Sequence, residues 1–397
     1  MIYKQFKDLK LSWLGMGVMR LPATEAGYGA PIDYEKATEL IEYAYEHGVN
    51  YFDTSYFYHN GDSEVFIGKA LSKYPRDSWY LASKMPGNML KQVDGKLEVG
   101  GFSLESKTFA SPTEIFEYQL EKCGVDYFDF YLLHNVSETT YNTYTNEEIG
   151  IVDHLIKEKA KGRIRHLGFS SHGRHDTIAK FLEYLKAKGC KDEFEFAMIQ
   201  LNYLDWTLQE ANKKYDALTK NGLAVLSMEP LRGGKLANLG EKVDDILKPL
   251  CPDDSQAAWA FRYLQSLDNL PVIISGMNTL EQLKENLSIF EKHEPITSGE
   301  AETLLKIAET VTELAPCTAC RYCMEACPMS LDIPMLLTMY NEAGFEIAWM
   351  LRAALGALKE EEKPAACISC GQCNPLCPQN IDIPLALMKF NELINKS

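Results

Sequence analysis

Eight cysteines in two matching runs constrain the end of this chain more than any other feature. Cys317-x2-Cys320-x2-Cys323-x3-Cys327-Pro328 is followed, 50 residues later, by Cys367-x2-Cys370-x2-Cys373-x3-Cys377-Pro378. Three thiolates at three-residue spacing wrap one corner of an iron–sulfur cubane, and the fourth, followed by proline, ligates the other cluster of a two-cluster module. The spacing therefore predicts two [4Fe-4S] centres. Cys317, Cys320, Cys323 and Cys377 fall to one, and Cys367, Cys370, Cys373 and Cys327 to the other. The alternative is a pair of four-cysteine zinc sites, but those pair C-x2-C motifs rather than setting them in triplets.

The duplication extends past the cysteines. Asp332-Ile333-Pro334 recurs as Asp382-Ile383-Pro384, and Asn341-Glu342 as Asn391-Glu392, with the same 50-residue offset. Leu and Met at helical spacing follow each Asp-Ile-Pro, through Met339 and Met388, and 347–358 is also apolar with a helical period. On these motifs the segment resembles the helical two-cluster ferredoxin module of many redox enzymes. The domain boundaries expected are 1–296 for a first domain, 297–316 for a connecting helix and 317–397 for the cysteine-rich domain. In the connecting helix Ala301, Leu304, Leu305, Ala308, Val311 and Leu314 line one side, and Pro316 stops it. It is expected to pack on the first domain and carry the second rigidly, since a free linker is richer in Gly and Ser.

Cluster thiolates need a reducing compartment, so disulfides are not expected, and Cys123, Cys190 and Cys251 read as ordinary thiols. The first residues lack a cationic start followed by an apolar run, and no stretch of about 18 apolar residues occurs. The expectation is a cytoplasmic protein that does not enter a membrane. The formal charge of −16 argues against nucleic acid as a partner, because phosphate binding needs clustered Lys and Arg.

Over the first three hundred residues apolar runs alternate with amphipathic segments. Strands are predicted at 14–16, 50–55, 79–85, 128–134, 164–170, 196–202, 224–229 and 271–276. Helices are predicted near 33–48, 62–74, 112–124, 146–162, 174–188, 208–221, 255–267 and 279–293. Eight strands, each followed by a helix, predict an α/β (β/α)8 barrel ahead of a small, mostly helical domain. A doubly wound sheet is the runner-up, but no G-x-G-x-x-G follows any strand. The segment 86–111 is long for a barrel connection, and Val93-Asp-Gly-Lys96 reads as a hairpin turn. It is either a lid over the mouth or a decoration packed on the rim.

Barrels place their chemistry at the C-terminal ends of the strands. There the sequence puts a carboxylate (Asp53), a phenol (Tyr58), an amine (Lys84) and an imidazole (His134). With Leu14-Gly-Met-Gly17, Gly168-Phe-Ser-Ser171, Gln200, Pro230-Leu231 and Glu285-Asn286, residues 10–295 resemble an aldo/keto reductase. The resemblance implies an enzyme that reduces a small-molecule carbonyl with NADP or NAD. It implies Tyr58 as general acid, Lys84 lowering the pKa of that phenol, Asp53 holding Lys84, and His134 orienting the substrate oxygen. Gly17, Val18 and Met19 would line the nicotinamide, and Ser170, Ser171 and Gln200 would hold its carboxamide. Pro230, Leu231 and Gly233 would border the pyrophosphate, with Gly276 on the same rim, and Glu285 and Asn286 the adenine. Two positions depart from the family. Met228 stands where many relatives stack an aromatic ring on the nicotinamide. Gln282 stands where an arginine often grips the 2′-phosphate, so NADPH over NADH stays open, with Lys235 as a substitute charge.

The two halves do not match in redox chemistry. A cluster passes single electrons and a nicotinamide passes hydride, a mismatch that flavins usually bridge; no motif here specifies a flavin. Three readings follow. The chain is a carbonyl reductase carrying clusters, or an electron-transfer oxidoreductase relaying to or from a redox partner protein, or a nicotinamide-binding redox sensor with little turnover.

Overall fold

The computed structural model describes residues 1–25, 30–101, 104–312, 315, 317, 322–345, 347, 349–377 and 379–396. By its contacts the chain divides into two compact units, Met1–Asn202 with Ala211–Thr297, and Tyr203–Glu210 with Ser298–Ser397.

The first unit opens with an antiparallel hairpin, β1 (Tyr3–Phe6) and β2 (Leu9–Ser12). The barrel strands follow as β3 (Leu14–Gly17), β4 (Tyr51–Asp53) and β5 (Tyr80–Met85). An inserted sheet then runs through β6 (Leu90–Val93), β7 (Lys96–Gly101) and β8 (Leu104–Phe109). The barrel resumes with β9 (Phe128–Leu133), β10 (Ile164–Ser171), β11 (Phe194–Gln200), β12 (Ala224–Met228) and β13 (Val272–Ser275). The eight barrel strands pair in chain order, all parallel, and β13 closes on β3. This is the (β/α)8 barrel. Its strands are mostly apolar, and β9 is buried throughout, as expected of a parallel sheet covered on both faces.

The helices begin at side-chain caps that the sequence contains. Asp33 accepts from Lys36 N, Ser255 from Ala258 N and Thr279 from Gln282 N, opening the helices Tyr34–Glu46, Gln256–Gln265 and Leu280–Ile289. Helix Asp62–Leu71 lies so close to helix Pro112–Cys123 that a Cβ on Gly68 would sit 2.0 Å from the Cys123 carbonyl oxygen. Only glycine fits there.

The hairpin β1–β2 carries no strand signal readable over such short runs. Its Phe6 and Leu11 fill the floor of the barrel with Tyr51, Phe130, Phe196 and Val272. The segment after β5 forms a hairpin at Asp94-Gly95, where both residues have positive φ (49° and 76°), and β8 adds a third strand. Leu90, Leu97, Val99 and Phe109 of this sheet are buried.

In the second unit helices Ile333–Phe345 and Ile383–Lys396 pack together around Leu336, Leu337, Leu387 and Phe390. The internal repeat is visible in their caps. Asp332 Oδ1 accepts from Met335 N (3.2 Å), and Asp382 Oδ1 accepts from Leu385 N (3.3 Å). Helix Ser298–Thr312 groups by its contacts with this unit.

Candidate active site

Asp53 ends β4 opposite Gly17 at the end of β3, Lys84 lies in β5, and His134 follows β9 directly. The parallel register brings them to one end of the barrel, and the turn after β4 adds Tyr58. That turn is pinned by its next residue. His59 Nδ1 contacts the Ala30 carbonyl at 2.9 Å, and His59 Nε2 accepts from Leu21 N at 3.2 Å. His59 is thus a satisfied core histidine and faces away from the mouth.

Lys84 is the hub. Its Nζ donates to Asp53 Oδ1 (2.6 Å) and the Thr54 carbonyl (2.7 Å), and reaches the Tyr58 hydroxyl at 3.4 Å. Lys84 and Asp53 are both buried. Burial pushes the Asp53 carboxyl up and the Lys84 amine down, and the ion pair between them opposes both shifts. The Tyr58 phenol departs from expectation. Burial and then the Asp53 charge hold it well above 10, against a weaker opposing bond from Ser55, and the Glu229 charge adds to the rise. Lys84, 3.4 Å from the hydroxyl, does not offset this rise. Tyr58 therefore keeps its proton at neutral pH.

His134 stays neutral for related reasons. Burial, then the Lys84 and His172 charges, hold it well below 6.5. Its ring stacks on Phe57 at 4.7 Å between centroids, and stands edge-on to Tyr58 at 6.1 Å. Its Nδ1 is buried without a hydrogen-bond partner, as is Asp53 Oδ2. The main chain holds the residue: His134 N donates to the Met85 carbonyl (3.1 Å), and the Tyr144 hydroxyl reaches the His134 carbonyl (2.6 Å).

Behind Lys84 lies a buried polar network that the sequence did not disclose. Glu64 Oε1 accepts from Ser83 Oγ (2.5 Å) and Gln119 Nε2 (2.6 Å), and Lys122 pairs with Glu64 Oε2 (3.0 Å). Gln119 also donates to the Lys84 carbonyl at 3.1 Å, which fixes the backbone of the hub.

The expected nucleotide residues come to the same rim with mixed side-chain availability. Gly17 lies beside Asp53; Val18 is buried and Met19 half-buried. Ser170 and Ser171 end β10, but their hydroxyls serve the backbone. Ser170 Oγ accepts from Asn135 N (2.9 Å), and Ser171 Oγ donates to the Val136 carbonyl (2.6 Å) and accepts from Gly173 N (3.0 Å). Gln200 pairs in register with Met228 and contacts His172 Nδ1 through Oε1 at 3.3 Å. Pro230 is buried, Leu231 half-buried, and Gly233 and Gly276 are exposed. Gln282 folds back to accept from Asn278 N (3.0 Å), Glu285 accepts from Ser255 Oγ (2.6 Å), and buried Asn286 donates to Ser275 Oγ (3.2 Å). Phe57, Tyr144, His172 and Glu229 join the site only through the fold; nothing in their local sequence marks them. A buried imidazole nitrogen with no partner at the mouth, and exposed glycines past β12 and β13, fit a flat ring with a phosphate chain.

In the second unit Cys327, Cys367, Cys370 and Cys373 line one small cleft, with Leu331 and Leu387 among its apolar walls. These are the second triplet and the proline-flanked cysteine of the first run. Among the described residues no group of three His, Cys, Asp or Glu side chains is set to hold a metal ion. Helix Tyr322–Glu325, with Cys323, packs against the turn Asn374–Leu376 that leads to Cys377. Cys320 lies outside the described residues. Four thiols on one apolar cleft are the donor set that an iron–sulfur cluster takes.

A parallel eight-stranded barrel with a carboxylate, amine, phenol and imidazole at its mouth defines a class of oxidoreductase. The aldo/keto reductase family model matches residues 13–309, and the chain belongs to that family. A 4Fe-4S dicluster domain matches residues 316–381. The NADH-specific methylglyoxal reductase of Escherichia coli (strain K12) is 26% identical over 335 residues, covering 77% of this chain and 97% of that protein. L-galactose dehydrogenase of Arabidopsis thaliana is 22% identical over 333 residues, covering 76% of this chain and 97% of that one. Among solved structures, the holo form of an aldo-keto reductase from Bacillus halodurans superposes with a TM-score of 0.59 at 24% identity, over 77% of this chain and 96% of that one. An aldo/keto reductase from Klebsiella pneumoniae, in complex with NADP and acetate, superposes with a TM-score of 0.56 at 16% identity, over 75% and 92%. Among the described residues no helix is long and apolar enough to cross a membrane.

Proposed function

We propose that this chain reduces a small carbonyl compound at the barrel mouth, with a reduced nicotinamide nucleotide as the electron source. The observation that carries the reading is Lys84 Nζ lying between Asp53 (2.6 Å) and the Tyr58 hydroxyl (3.4 Å). When bound, the nicotinamide supplies a hydride to the carbonyl carbon. The chain's own residues do the rest. Tyr58, protonated at neutral pH, gives its proton to the carbonyl oxygen as negative charge develops there. Lys84 stabilises the phenolate left behind, and Asp53 keeps Lys84 in place. His134, neutral and stacked on Phe57, donates a hydrogen bond that orients the oxygen.

The nucleotide would lie against Gly17, Val18, Met19, Gln200 and Met228, with its phosphates by Pro230, Leu231, Gly233 and Gly276. NADH is the nucleotide the residues favour, since Gln282 carries no charge and bonds back to its own loop. The E. coli relative, called NADH-specific, supports that choice, and methylglyoxal is the first substrate to try.

In the second unit we assign one [4Fe-4S] cluster to Cys367, Cys370, Cys373 and Cys327. A second cluster falls to Cys317, Cys320, Cys323 and Cys377. A relay of single electrons to a partner is a second reading, favoured by one observation: Cys370 and, at the cavity rim, Met329 and Ile368 are exposed. Cluster absorbance bleached by nucleotide only when a flavin is added would support that relay.

The test of the main reading uses protein purified anaerobically. Wild type should oxidise NADH with methylglyoxal, and Tyr58→Phe should lower kcat by about 10²–10⁴-fold while nucleotide affinity holds. Turnover retained by Tyr58→Phe removes it as the proton donor.

A further inference from the structure

One exposed cation on the barrel rim takes no part in the Asp53–Lys84–Tyr58 group. Arg20 ends the helical turn Val18–Arg20 that follows β3. Its side chain crosses the junction where β13 closes on β3 and runs over two glycines. A Cβ built on Gly276, just past β13, would lie 3.7 Å from Arg20 Cβ and 3.8 Å from its Cδ. A Cβ built on Gly233, in the loop past β12, would lie 3.0 Å from Arg20 Nη2. The stem thus rests on Gly276 and the guanidinium on Gly233, at the ends of the seventh and eighth barrel strands. Arg20 is exposed, and among the described residues it has neither a hydrogen-bond nor an ion-pair partner.

The backbone under the guanidinium is also unusual. Arg232, Gly233 and Gly234 take positive φ in succession (46°, 65° and 96°). Arg232 N and Gly234 N donate to the Glu229 and Leu231 carbonyls (3.0 and 2.9 Å), so of the three N–H groups it is that of Gly233, under the guanidinium, that is left for an anion. Barrels of this class bind phosphate in the loops after strands seven and eight. At the competing position further along neither nearby side chain offers a free cation, and Lys235, exposed just past the turn, is the other charge on this rim. Gln282 bonds to Asn278 N, and Lys284 lies over the Tyr43 ring at 5.5 Å.

We infer that Arg20, with the turn Arg232–Gly234, clamps the pyrophosphate of the nucleotide, so that binding strength at this point does not depend on a 2′-phosphate. The inference rests on the nucleotide reading above and adds to it the residue that supplies the charge. Guanidinium matches a phosphate through two parallel hydrogen bonds, which lysine cannot reproduce. A phosphorylated carbonyl substrate would present the same chemistry from the other side of the mouth, and the test separates the two.

Full-length protein, purified anaerobically, is titrated by calorimetry with NADH, NADPH and inorganic pyrophosphate, as wild type, Arg20→Gln and Arg20→Lys. Arg20→Gln should weaken both nucleotides by the same factor, about ten- to hundredfold, and abolish pyrophosphate binding; Arg20→Lys should fall between. A loss confined to NADPH would reassign Arg20 to the 2′-phosphate and overturn the inference. Unchanged nucleotide affinity, with a raised KM for a phosphorylated aldehyde alone, would overturn it in favour of the substrate. If wild type bound neither nucleotide, the nicotinamide reading would fail by itself. Pyrophosphate would then decide Arg20: binding lost in Arg20→Gln keeps the anion site, and binding absent or unchanged removes it.

Discussion

Lys84 shows how burial decides the chemistry of single residues here. An amine in water would titrate far above neutrality and pull an adjacent phenol down. Here burial holds the amine down against the pull of Asp53, and burial with the Asp53 charge keeps Tyr58 high. The histidines follow the same rule. His172 is pushed down to about 4 by burial, with its bond to Gln200 opposing, and His134 also lies well below 6.5. The sign of the linkage is definite. Between about 4 and 6.5 the unfolded chain binds protons at these positions that the folded chain does not, so stability rises with pH across that window and falls on acidification. Denaturant midpoints measured from pH 4 to 7 should therefore climb in wild type and climb less steeply in His172→Gln. Identical slopes in the two proteins would mean that His172 is not buried neutral.

Elements matter through the points where they touch. The end of β5, the turn that leads into the inserted sheet and the residue after β9 meet at one hydroxyl. Tyr144, buried in helix Tyr141–Thr145, accepts from Gly87 N (3.1 Å), while its oxygen also lies 2.6 Å from the His134 carbonyl and 3.1 Å from that of Met85. Tyr144→Phe leaves the Gly87 N–H buried without a partner, a loss of about 1–3 kcal/mol. The expected outcome is a lower urea midpoint together with faster amide exchange at Gly87 and His134. Unchanged exchange at both would show that the hydroxyl ties nothing. The inserted segment also shows where sequence reading stops. Asp94-Gly95 announced the turn between β6 and β7, because only residues tolerant of positive φ fit there. Nothing announced β8, whose exposed Glu105, Ser106, Lys107 and Thr108 show no apolar alternation.

Across the whole molecule, two kinds of chemistry sit in two units with separate cores. Cys373→Ser should remove about half of the iron and the matching part of the cluster absorbance, while unfolding of the barrel, followed by its tryptophans, stays as in wild type. Full iron in that variant would remove the ligand assignment. The cysteine runs, the duplication and the barrel's strand–helix alternation could be read in the chain alone, because each depends on spacing along it, and the alternation put Asp53, Tyr58, Lys84 and His134 at strand ends. Covalent spacing also carried the pairing of Cys327 with the second triplet, whose members line one cavity. What the sequence could not decide was anything set by neighbours distant in the chain. The direction of the Tyr58 shift, the stacking of Phe57 on His134, the use of Ser170 and Ser171 by the backbone, and the passage of Arg20 over Gly233 and Gly276 arise only when the barrel closes. Closure brings β13 against β3, and burial and electrostatic coupling depend on distance in space rather than on position along the chain.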